Sequence, residues 1–162
     1  MNLHIFTIVH VVISLIGIAS GLVITFGLLV ARKLNRWSVL FLISTVATSA
    51  TGFFFPFHGI TPAIVVGIIS LVLLSIAILA RYARHLAGHW RWIYVVTVMI
   101  SLYLNVFVLI VQLFQKVQAL KSLAPTQSEP PFAITQLVVL ALFVVLTILA
   151  AIKFRGEQLR AA

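Results

Sequence analysis

Long apolar runs alternate with short polar connectors along this 162-residue chain. About 20 consecutive apolar residues cross a hydrocarbon core of about 30 Å as a helix. The runs predict spans near 5–30, 38–57, 62–80, 92–114 and 132–152. The first is longer than the core requires and is expected to tilt or project. The break between the second and third spans carries no charge. Pro56, Gly59 and Pro62 mark it instead, with Thr61 placed to cap a helix that starts on Pro62. The fold class expected is all-α: one transmembrane domain over 1–162, an integral membrane bundle of five transmembrane helices. The first run has no basic n-region and exceeds the length of an h-region, so a retained span is expected rather than a cleaved signal peptide.

The connectors alternate in charge. Arg32, Lys33 and Arg36 follow the first run, none follow the second, and Arg81, Arg84 and Arg91 follow the third. Lys116 and Lys121 accompany Glu129 after the fourth, and Lys153, Arg155 and Arg160 follow the fifth. The positive-inside rule puts the first and third connectors and the C-terminus in the cytoplasm, and the N-terminus outside. Trp37, Trp90 and Trp92 then form a cytoplasmic aromatic belt, and Phe53, Phe54, Phe55 and Phe57 lie toward the outer boundary. The polar, Pro-rich segment 124–131 falls outside.

Composition agrees. The chain is 63% hydrophobic and only 8% charged, where soluble domains carry about 25% charged residues. The net charge of +9 sits at the ends of apolar runs, where it meets anionic lipid headgroups; nucleic acid is not an expected partner. Without cysteine, disulfides, thiolate ligands and cysteine nucleophiles are excluded.

Polar residues inside the runs form stripes. Thr7, His10, Ser14, Gly17, Gly21 and Thr25 share one face of the first helix. Ser38, Thr45, Ser49, Gly52 and Pro56 do so on the second, and Thr97, Ser101, Asn105, Gln112 and Gln115 on the fourth. Gln136 and Thr147 lie on the fifth. Such faces are expected to turn inward, because an unpaired amide or imidazole in hydrocarbon costs several kcal/mol. The spacing Gly17-x-x-x-Gly21 permits close helix approach.

Counted from the outer boundary, His10, His58, Gln112 and Gln136 reach similar depth, with Asn105 deeper along the fourth helix. An ionisable residue within a span is a functional hypothesis by default. This candidate ligand-binding group could hold the carbonyl of a quinone, the iron of a haem, or another lipophilic molecule. Two histidines without a nearby carboxylate or thiolate are a weak metal signature, and the metal assignment stays open. His85 and His89, four apart, could share a helix face; with Arg81, Arg84 and Arg91 around them they read as a lipid-headgroup site. No span interior contains Asp, Glu, Lys or Arg, which disfavours a carboxylate-coupled pump and leaves no catalytic residue to name.

The stretches 51–62 (TGFFFPFHGITP) and 104–115 (LNVFVLIVQLFQ) resemble the small, uncharacterised multi-pass inner-membrane proteins of bacteria. The resemblance implies a bacterial inner (plasma) membrane location and no activity. Size and helix count are also similar to the translocator protein family. That family is rich in tryptophan, whereas this chain has three, so nothing is carried over. Three functions stay open: binding of a lipophilic ligand or redox cofactor, a non-enzymatic accessory or assembly subunit, and an oligomeric channel or transporter. Membrane lipid is the expected partner, together with a lipophilic small molecule and a homo-oligomer or larger membrane complex.

Overall fold

A computed structural model describes residues 3–56, 59 and 61–155; of Arg155 only the backbone is described. Among these residues the chain is helical, without strands. Helix α1 spans Leu3–Leu29, α2 Asn35–Gly52, α3 Pro62–Ile78, α4 Trp90–Lys116, α5 Gln118–Leu123 and α6 Pro130–Arg155. A π-helical turn, Leu79–Ala83, extends α3.

Local chemistry sets the ends. Thr61 is extended and its hydroxyl accepts from the Ile64 N–H, with Pro62 opening α3 where no N–H is needed. Helix α2 stops at Gly52, short of the expected residue 57, as Phe53 and Phe54 close hydrogen-bonded turns onto Ala50 and Thr51. Pro56 then disfavours helical backbone at Phe55. Val117 is extended and separates α4 from the short α5, a helix that the hydropathy pattern did not announce.

Helices long and apolar enough to cross a membrane number four among the described residues: Leu3–Leu29, Pro62–Ala83, Trp90–Lys116 and Pro130–Phe154. The second expected span is present as α2 but is not among them. It has 18 residues, opens on Asn35 and Arg36, and carries Ser38, Ser44, Thr45, Thr48, Ser49 and Thr51. Its polarity suits its place: α1, α2, α3 and α4 close a ring, each packed on the next, and α6 lies against α1 and α4. Tyr94 of α4 reaches across that ring to Ser38 of α2.

The molecule is apolar outside. Phe26, Ile43 and Phe54 are 67%, 65% and 77% exposed, while Ser20, Thr45 and Ser101 are fully buried. A surface of this kind matches lipid rather than water. The inward hydroxyls cost little because most donate to their own helix. Ser20, Thr25, Ser44, Thr48, Thr97 and Ser101 each bond a carbonyl four residues back. The main core joins Ile24, Phe41, Leu74, Tyr94, Met99, Leu102, Phe143 and Phe154.

Two glycines of α1 make the ring tight. A methyl group on Gly21 would lie 2.5 Å from Leu102 Cδ1 and 3.0 Å from the Phe41 ring. One on Gly17 would lie 3.1 Å from Thr45 Oγ1 and 3.5 Å from Asn105 Nδ2. The expected small-residue seam is therefore where α1 meets α2 and α4 together.

At one end of the bundle, the Glu129 carboxylate organises the turn into α6. It accepts from the Thr126 hydroxyl (2.8 Å), the Thr126 N–H (3.1 Å) and the Ser128 N–H (3.1 Å). Slight desolvation raises its pKa, but these hydrogen bonds outweigh it and hold the carboxyl below its ordinary 4.5. A lowered folded-state pKa means that the loop's order is complete above about pH 4.5 and is lost as pH falls through the lower folded value. Glu129→Gln is expected to speed amide exchange at Thr126 and Ser128 near neutral pH; unchanged exchange would show that the carboxylate does not order this turn.

Candidate functional site

His10 lies a little over two turns into α1, half-buried against the end of α2. Its Nδ1 is 2.7 Å from Thr51 Oγ1, and its ring meets Phe55 edge-on at 5.1 Å. Phe6, one turn before His10 on α1, also packs on Phe55, at 4.9 Å. Thr51 decides the tautomer. Its hydroxyl has one proton and lies 2.6 Å from the Ala47 carbonyl, an acceptor that can receive but not donate. With that proton committed, Nδ1–H donates to Thr51 and Nε2 keeps a lone pair. Nε2 has no partner among the described residues. Lys116 of α4 lies within electrostatic range of the ring, which disfavours a bare metal cation there.

The other expected members of the group are placed separately. Gln136 is buried on α6, where its Nε2 donates to the Phe107 carbonyl (3.3 Å) and its Oε1 has no partner among the described residues. Gln112 is exposed on α4. Asn105 faces the Gly17 seam, its Nδ2 buried without a partner among the described residues. His58 lies outside the described residues. Among the described residues no hydrogen bond joins His10 to Gln112, Gln136 or Asn105. Similar position along different helices does not by itself create a hydrogen bond, because rotation about each helix axis decides which neighbour a side chain meets. Thr51, the partner His10 does have, was legible only as a residue at the matching end of the neighbouring helix.

No group of three or more His, Asp or Glu side chains within reach of one metal ion occurs among the described residues. A surface groove of about 220 Å³ runs between α4 and α6, lined by Met99, Ile100, Tyr103, Leu140, Phe143 and Thr147, and shares no residue with the His10 locus.

The opposite end gathers the cations. Arg81 donates to Asn35 Oδ1 (2.6 Å) and the Tyr94 hydroxyl (3.3 Å) and lies over the Tyr82 and Tyr94 rings. Arg84 lies over Trp90. Arg91 turns inward instead. It is 8% exposed, donates from Nε to the Leu86 carbonyl (3.4 Å) and stacks over Phe154, so this expected headgroup residue serves the core. His85 and His89 are both exposed but do not share a helix face as the spacing suggested. The π turn ends at Ala83, and His85 and Leu86 take left-handed backbone (φ 48° and 57°) as Leu86 folds inward.

Compared with known protein families, curated proteins and solved structures, the chain matches none.

Proposed function

We propose that the protein is a five-span bundle, N-terminus outside and C-terminus cytoplasmic, that binds a lipophilic ligand at His10. Helix α2 supplies the fifth span. Its place in the ring, packed between α1 and α3, covers its polar face and removes the need for an apolar surface all round. Arg32, Lys33, Arg36, Arg81, Arg84 and Lys153 share one end, which supports placing that end in the cytoplasm of a bacterial inner membrane.

The observation that carries the ligand reading is the state of His10: an imidazole within a span, oriented by Thr51, with its second nitrogen unpartnered among the described residues. A lone pair on Nε2 accepts from a ligand hydroxyl, as on a quinol, or ligates a haem iron. Phe6 and Phe55 supply apolar aromatic surface beside it. The nearby Lys116 charge favours an organic head over a free cation.

Protein purified from membranes is expected to carry a lipophilic molecule, read by visible absorption and by extraction of bound lipid. His10→Ala is expected to lose it while keeping its helical content, and its stability within about 1 kcal/mol of wild type. Thr51→Val, which removes only the orienting hydroxyl, is expected to weaken retention less. Unchanged ligand content in His10→Ala would remove this site from consideration.

A second reading, an accessory or assembly subunit, draws on the self-satisfied hydroxyls: most of the inward polar stripe is bonded within its own helices and serves packing. A pore lined by the α4 stripe has less support, since Thr97 and Ser101 are buried in the core of the bundle.

A further inference from the structure

At the cation-rich end, α1, α2, the π turn, α4 and α6 meet around a small pocket lined by Arg32, Lys33, Ser38, Arg81, Tyr94 and Phe154, among others. We propose that this pocket receives one oxygen of a phosphate group carried by an anionic phospholipid, with Arg32, Lys33 and Arg81 gripping the phosphate. The inference is independent of the ligand read at His10.

Charge comes first. Three cations line one pocket, and the only acid among the described residues, Glu129, precedes α6 at the far end of the bundle. Like charges held together without a counter-ion repel, and an anion relieves that repulsion. Arg32 and Lys33 are exposed and make no hydrogen bond or ion pair among the described residues.

Geometry adds direction. Arg81 is held in place by Asn35, Tyr94 and two aromatic rings. It sits in the π turn, a distortion often found at functional sites. Two of its N–H groups are engaged, and a guanidinium has five, so three remain for a forked contact with phosphate. The hydroxyls behind it are occupied: Tyr94 donates to Ser38, and Ser38 to the Leu34 carbonyl. The anion therefore meets guanidinium and ammonium groups. The enclosed space is about 10 Å³, room for one oxygen-sized group, so the body of the phosphate stays outside.

The surroundings favour a lipid over free phosphate. Trp37, Tyr82 and Trp92 are each more than 40% exposed at this same end, the position of an interfacial aromatic belt. A phosphate at that depth is a headgroup phosphate.

The test uses the full-length protein in detergent, with retained lipid counted by native mass spectrometry. Short-chain phosphatidylglycerol, phosphatidylcholine and inorganic phosphate are the probes. Wild type is expected to retain phosphatidylglycerol about tenfold more tightly than phosphatidylcholine. The double variant Arg32→Gln/Lys33→Gln, whose two side chains are exposed, is expected to fall to the phosphatidylcholine level, the loss expected for removing two bases from a charged surface. Arg81→Lys keeps the charge without the fork and is expected to fall between them. Equal retention of the two lipids, or a double variant that retains phosphatidylglycerol like wild type, would overturn the proposal. Displacement of phosphatidylglycerol by millimolar inorganic phosphate would overturn the lipid as the source of the anion; persistence of the adduct supports it.

Discussion

Gly21→Val is expected to destabilise the bundle by about 1–3 kcal/mol, the usual cost of forcing atoms into a filled core. Even a single methyl at this position overlaps Leu102 Cδ1 and touches the Phe41 ring. Both side chains are fully buried, so neither can swing out into the surroundings without disturbing the core. Valine adds two further methyls on the seam that joins α1 to α2 and α4. Gly21→Ala should cost less, because the end of a leucine side chain can turn. Combining Gly21→Val with Leu102→Ala should recover part of the loss, since the second change removes the atom that the first collides with. Unfolding in a graded detergent mixture measures all four proteins. If the valine variant unfolds with wild type, the close approach of α1 is not a determinant of stability.

Arg91→Ala is expected to cost about 1–3 kcal/mol and to loosen the turn between the π helix and α4. Loss of the side chain leaves the buried Leu86 carbonyl without its Nε donor, and an unsatisfied buried group costs about that much. It also uncovers Phe154, which is 1% exposed and anchors the end of α6. Arg91→Met keeps the packing and loses the hydrogen bond, so an intermediate loss is expected. Protease cleavage within 84–89 reads the turn directly. Wild-type resistance in Arg91→Ala would show that Leu86 is held by its neighbours alone.

The two positions differ in how visible they were. Gly21 belongs to a spacing that announces a close helix contact, and the contact is there. Arg91 belongs to a row of bases that reads as headgroup binding, yet it is buried. Residue type and position along the chain are the same for an arginine that turns inward as for one that turns outward. What separates them is the left-handed step at His85 and Leu86, which places a carbonyl under Arg91. The same limit applies to His10. Its position along α1 was legible, its partner was not, since Thr51 reaches it through the packing of α1 on α2.

The hydrophobic pattern by itself determined that the chain is helical, that long apolar helices make its surface, and that most of its serine and threonine positions within the helices turn inward. These follow from local physics: helix length against bilayer thickness, the cost of a bare polar group in hydrocarbon, and a Thr61–Pro62 start signal that needs no distant partner. The tertiary structure decided the rest. It built the most polar of the long helices, α2, into the ring, paired His10 with Thr51, bonded Gln136 to the Phe107 carbonyl instead, and drew Arg32, Lys33 and Arg81 from two connectors into one pocket. Those outcomes depend on how each helix is rotated about its own axis. That rotation is set by side-chain packing between helices, and no single segment of sequence contains it.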